Sequence, residues 1–263
     1  MIKLSYVQHK ATESGRPNHV FIQLPRISLH AASGRFRRVD DPGSKVMSIR
    51  TLVGEEQIAL EMSLYHGDLH LVLLHFADWL LTGRAPLSRT ICSWDLWHFG
   101  HIIDAPLYQD EIIRTMFREA HRSDDPAGVI FGKAGEEAKY LRHCWKASGF
   151  GVQRGLAPNK WIDKWTDKQF LRLLLDTVIW IGPYEPCVEE ILAGGGHIAV
   201  FLTRSMMEAT VMGKETDKPW EERRAWKYCV QNLDEGGWSE SMRAREDETD
   251  DERLPERFNR VTI

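Results

Sequence analysis

The spacing of apolar and polar positions changes character along this chain, and each change predicts an element. Ile2 to Val7 reads as a short strand followed by a polar turn at Gly15-Arg16-Pro17-Asn18. Residues 20 to 24 alternate weakly and carry β-branched and aromatic side chains, which predicts a second strand. Pro25 fits the end of that strand because it has no amide to give to a ladder. Asp40 to Lys45 is turn chemistry, and Val46 to Leu52 and Gln57 to Met62 are two further extended candidates. From Asp68 the period becomes helical: Val72, Phe76, Trp79 and Leu80 share one face, and Gly83 is placed to end the helix. A second helical stretch runs through Trp94 to Phe99. Ile112, Ile113, Met116 and Phe117 mark a third after the break at Ile103-Asp104-Ala105-Pro106.

His121 to Gly135 is polar and glycine-containing and reads as a boundary or loop. Residues 136 to 147 predict a helix with Ala138, Leu141 and Trp145 on one side, and 148 to 160 read as a linker. Thr166 with Gln169 three residues on is a capping-box pattern. Leu171, Leu174, Val178 and Ile181 then share a face, and Gly182-Pro183 stops that helix. Gly194-Gly195-Gly196 separates a short helix from a longer one with Ile198, Phe201, Leu202, Ser205, Met206 and Ala209 on one face. Residues 239 to 260 are dense in mixed charge with few apolar interruptions. Such a segment cannot offset its ordering entropy, so disorder is expected there.

Composition narrows the classes. A chain of 263 residues, 43% hydrophobic, is long enough to bury a sizeable core. A net charge of −4 argues against general nucleic-acid binding, which needs a basic surface. Cys92, Cys144, Cys187 and Cys229 are far apart without paired spacing, which predicts reduced thiols. The first ten residues lack the apolar core of a signal peptide. The longest apolar stretch, Leu69 to Leu81, is interrupted by His70, His75 and Asp78 and is too short and polar to span a bilayer. The expectation is a cytoplasmic or nuclear protein that binds neither membrane nor nucleic acid. Ten tryptophans supply large aromatic area for core packing or for anchoring an interface.

The order of these motifs resembles the BTB/POZ domain of the filamentous-fungal type. Trp79-Leu80-Leu81-Thr82-Gly83-Arg84 is similar to the family's Trp-Leu-Tyr-Thr-Gly-Arg helix end. Trp94-Asp95-Leu96-Trp97 stands for the following Leu-Asp-Leu-Tyr helix, and Asp104-Ala105-Pro106-Leu107-Tyr108-Gln109-Asp110 for Asp-Ile-Pro-x-Leu-x-Asn. Upstream, Val20 to Arg26 resembles the second strand, and Ile27 to Phe36 the helix written Leu-Leu-x-x-x-Ser-x-x-Phe. The resemblance covers residues 19 to 117. Gly100-His101-Ile102 departs from the family's Ala-Asp-Lys. Farther on, Pro219-Trp220 matches the fungal extension, whereas Tyr228-Cys229-Val230-Gln231 lacks its two histidines.

The resemblance implies an α+β chain: a BTB/POZ-like small sheet packed by helices over 1–120, a mainly helical C-terminal region over 136–233, and a charged tail over 239–263. It implies a protein–protein interaction module, self-associating or adaptor, with a protein partner: another copy of itself, or a cullin for which it recruits ubiquitination substrates. It further implies partner-binding residues by family position: Trp94, Trp97 and Tyr108, with Arg35 and Arg37 at a rim.

Chemistry offers little against this. His66 with His70, and His98 with His101, have helical spacings, but no cysteine or carboxylate completes a metal set in sequence. Gly194-Gly195-Gly196-His197 matches no phosphate-loop pattern, and no Gly-x-Ser-x-Gly elbow is present. His143 adjoins Cys144, yet helix neighbours point apart. The expectation is a non-enzyme without a cofactor or metal. The alternative is an enzyme or metal protein whose site assembles only in the fold. Arg35, Arg37 and Arg38 read either as a solvated helix end favoured by the dipole or as a contact for an acidic partner.

Overall fold

The computed structural model describes residues 1–8, 18–54, 60–61, 63–65, 68–87, 90–131, 136–147, 169–211, 218–221 and 227–230. Strand β1 (Ile2–Gln8) lies at the centre of a three-stranded mixed sheet. It pairs antiparallel with β2 (Asn18–Leu24) and parallel with the short β3 (Val46–Ser48). The register sets Ile2 opposite Leu24, Leu4 opposite Ile22 and Tyr6 opposite Val20, so one face is apolar and packed. The other face shows Lys3, Phe21 and Gln23 to solvent. This is the alternation a half-buried sheet requires.

Helices cover the packed face. The single helix expected over Ile27–Phe36 is two, α1 (Arg26–Ala32) and α2 (Gly34–Val39). Ser33 breaks the run with an extended backbone (φ −123°, ψ 117°), and its Oγ accepts from the Phe36 amide as the cap of α2. The same buried hydroxyl donates to the Ile103 carbonyl at 2.5 Å. Asp40 then closes the helical pair by pairing with His30 at 2.8 Å and Arg26 at 3.5 Å.

The strand expected over Val46–Leu52 ends after Ser48. Ser48 Oγ accepts from the Thr51 amide at 3.1 Å and starts helix α3 (Ile49–Val53). A side-chain cap outcompetes further ladder pairing here. The extended candidate Gln57–Met62 falls largely outside the described residues; Leu60 and Glu61 are helical.

Helix α4 (Leu69–Thr82) begins where the period changed. Asp68 accepts from the Leu71 amide, and Gly83 ends the helix at φ 70°. Helix α5 (Ser93–Ile102) and helix α6 (Pro106–Arg122) form the centre of the molecule. Most of α5 is buried, as is every residue of α6 from Tyr108 to Phe117. Buried Asp110, Glu111 and Arg114 on α6 are tolerated because they are partnered, Arg114 to Glu111 at 3.7 Å and Asp110 to the Val230 amide at 2.6 Å.

In the stretch read as a loop, Pro126–Phe131 forms helix α7, which buries Ile130 and Phe131. Helix α8 (Glu137–Ala147) buries Ala138, Leu141 and Trp145 as the spacing predicts. Helices α9 (Gln169–Ile181), α10 (Pro186–Ala193) and α11 (Gly196–Val211) follow, with the breaks at Gly182 and Gly194–Gly196 in place. Thr166, the linker at 148–160 and the tail at 239–263 lie outside the described residues.

The chain is α+β, with a small sheet and many helices. Its apolar core is continuous from Ile2 through α5 and α6 to Phe170 on α9 and to Tyr228 and Cys229. Tyr228 is fixed by its hydroxyl donating to Asp176 at 2.8 Å and by its ring against Phe117.

The corner between α5 and α6 ties the halves together. Besides the Ser33 bond, the Gly34 amide donates to Asp104 O at 2.8 Å and the Arg35 amide to Ile103 O at 3.3 Å. A Cβ on Gly34 would lie 2.0 Å from an Asp104 carboxylate oxygen, so a larger residue there would displace that side chain. Ser33→Ala is expected to cost about 1 to 3 kcal/mol, from a lost cap and a weakened buried carbonyl contact. Urea denaturation at unchanged m-value measures it; a loss of only a few tenths would remove the corner's importance.

Candidate interaction surface

The aromatic residues expected to meet a partner are core residues, which corrects that expectation. Trp94 and Trp97 are each 2% exposed and Tyr108 is fully buried. The two indoles stack on His98 and His101 and meet Phe170 of α9. The Trp94 amide donates to Tyr140 Oη at 3.0 Å. Tyr108 packs against Phe76 and Trp79 and donates to His75 Nδ1 at 2.9 Å. The physical reason is that α5 is covered by α4 on one side and by α8 and α9 on the other, while α6 lies among α1, α5 and α7. Sequence spacing shows that a helix is apolar and does not show how many of its sides are covered.

The basic rim is also used inside the fold. The Arg35 guanidinium is half-buried against Gly54. Arg37 is exposed, and donates to the His30 and Ala31 carbonyls at the end of α1, at 2.6 and 3.4 Å. Arg38 pairs with Asp104 at 3.0 Å. These are cations at helix ends, as the dipole favours.

The histidines expected as metal pairs separate. His70 bonds Tyr6, His66 lies outside the described residues, and His101 is exposed on Trp97. His98 Nε2 contacts Ser63 Oγ at 3.2 Å, and His143 Nε2 donates to the Ser63 carbonyl at 3.1 Å. Ser63 Oγ itself donates to Leu60 O, so His98 Nε2 is the donor toward Ser63. Among the described residues no group of three or more ligating side chains is placed for a metal. All four cysteines are free thiols; burial pushes Cys92, Cys144 and Cys229 up, away from thiolate chemistry at neutral pH.

One surface stands apart from this well-filled interior. Helix α11 buries Ile198, Leu202 and Met206 against the core, as its spacing predicts. Its outer side carries Val200 at 63%, Met207 at 63% and Val211 at 84% exposure. A groove of about 650 Å³ runs along it, and its described lining residues all belong to α11, from Ala199 to Val211. Arg204 and Glu208 flank the apolar positions and pair at 2.8 Å. Apolar side chains aligned on one exposed helix face form a small contiguous apolar strip, the kind of surface that a contact would cover. Sequence analysis missed this face because it sought only the core-facing period; Val200, Met207 and Val211 at i, i+7 and i+11 were the available signal. No helix among the described residues is long and apolar enough to cross a membrane.

Comparison with models of known protein families, with curated proteins and with solved structures finds no match.

The neutral His98 gives a pH signature. Burial lowers its pKa from 6.5 to about 4, with His101 and His143 pushing the same way. The unfolded chain therefore binds a proton, between about pH 6.5 and about pH 4, that the folded chain excludes. Stability from this group is complete above the unfolded value and falls as pH drops toward the folded one, by up to about 3 kcal/mol. Urea midpoints from about pH 7.5 to about pH 4.5 should fall less steeply for His98→Gln, which keeps a donor toward Ser63. Parallel profiles for the two proteins would contradict this assignment.

Proposed function

We propose that this chain is a protein–protein interaction module of the BTB/POZ kind. The observation that carries it is the exposed apolar face of α11, set on a densely buried α+β body. The stretches behind the family resemblance fall on these elements, with the one helix implied over Ile27–Phe36 divided in two. Val20 to Leu24 is in β2, and Ile27 to Phe36 spans α1 and α2. Trp79 to Gly83 ends α4, and Trp94 to Trp97 lies in α5. Asp104 to Asp110 makes the corner into α6. Helix α11 presents Val200, Met207 and Val211 to a partner protein helix with a matching apolar face, in the manner of a helix laid against a groove. In this reading the buried Trp94, Trp97 and Tyr108 hold the platform, and the partner contact lies elsewhere.

Met207→Lys tests the reading because the position is exposed and the body does not depend on it. The full-length protein and this variant are tagged, purified from cells that express the chain natively, and compared by mass spectrometry. A stable protein partner, including further copies of the chain, should be lost with Met207→Lys at an unchanged melting temperature. A cullin among the Met207-dependent partners would assign the adaptor role in ubiquitin ligation. Partners that ignore Met207→Lys, or none at all, would sink the reading.

A further inference from the structure

The exposed positions on α11 have a symmetry of their own. Val200, Arg204, Met207 and Val211 follow one another at spacings of four, three and four residues, which is the seam spacing of a two-helix coiled coil. The series is the same read in either direction. When two such helices lie antiparallel about a two-fold axis between residues 205 and 206, Val200 faces Val211 of the other copy, and Arg204 faces Met207 of the other copy. Glu208 then flanks Arg204 of the other copy, and the reverse contact repeats by symmetry. A parallel pair would instead oppose Arg204 to Arg204, like charge to like charge.

From this geometry we infer that α11 pairs antiparallel with α11 of a second copy, making the chain a homodimer. The inference rests on the interaction reading above and names its partner. Three features favour a second copy. The patch carries both charges of the pair it needs: Arg204 and Glu208 already meet at 2.8 Å within one helix, so each can be shared across the two-fold. Such self-complementarity is what an isologous interface requires. The seam residues Val200, Met207 and Val211 are the ones left exposed, while Ile198, Leu202 and Met206 on the same helix are taken by the core. The helix runs 16 residues, Gly196 to Val211, which gives about four turns for the pairing.

The test is sedimentation equilibrium of the purified full-length chain from low to high micromolar concentration, with four variants. The wild type should be dimeric. Met207→Lys, which sets a cation in the apolar seam opposite Arg204 of the other copy, should raise the dimer dissociation constant by at least about a hundredfold. Arg204→Glu and Glu208→Arg should each weaken the dimer, because each places like charges across the two-fold. The double reversal Arg204→Glu with Glu208→Arg restores both cross-pairs and should return the dimer. That recovery is expected of an antiparallel self-pair, and unchanged thermal melts show that each variant is folded with its intrahelical pair at 204 and 208 accounted for. A wild type that stays monomeric, a dimer indifferent to Met207→Lys, or a double reversal no better than the singles would overturn the inference. A monomer that still holds a different protein through Met207 would overturn the second copy and leave the interaction surface standing. A monomer with no Met207-dependent partner would remove both.

Discussion

The hydroxyl of Ser33 on the Ile103 carbonyl is the contact on which the rest of the arrangement depends. It joins residues 70 positions apart in the chain, and it is buried, so its loss cannot be made good by water. On one side it fixes the break between α1 and α2 and caps α2. On the other it holds the tight corner from α5 into α6, where Asp104 adopts a positive φ of 55°. With that corner set, α5 and α6 cross at the centre and bring Trp94, Trp97 and Tyr108 inward. The later helices then build outward: Tyr140 on the Trp94 amide, Phe170 on the paired indoles, and Tyr228 on Phe117.

How much of this could be seen in the sequence depended on whether the deciding interaction was local. Strand alternation at Ile2, Leu4 and Tyr6, the Asp68 and Gly83 ends of α4, and the core stripes of α8, α9 and α11 all follow from neighbours within a turn or a pleat. Ser33 likewise caps the next helix locally, on the Phe36 amide; what could not be seen is its second bond, to the remote corner at Ile103. The Ser48 cap was local and legible, and was outweighed by the β-branched run around it. Trp94, Trp97 and Tyr108 were placed at an interface because family position identifies a helix and says nothing of what later covers it. The outer face of α11 was overlooked for the opposite reason: its three apolar residues are too sparse to register as a stripe until the inner face is known to be occupied.

The buried polar groups serve the same architecture. His98 stays neutral between Trp94 and Ser63, and His75 is held neutral by burial while it links Tyr108 to the Pro86 carbonyl. Asp110, buried on α6, receives the Val230 amide and so fastens residues 227–230 to the central helix. Polar side chains in this molecule join elements that the apolar core alone would leave free to slide. What the molecule offers outward is the apolar face of α11, the surface the proposed reading assigns to a partner.

Hydrogen–deuterium exchange of the full-length chain, compared at low and high protein concentration, addresses the central claim most directly. The account predicts that amides of α11, from about Val200 to Val211, slow at high concentration, while α5 and α6 are equally protected at both. Slowing confined to another surface, such as the free edge of β2, or no dependence on concentration anywhere, would contradict it.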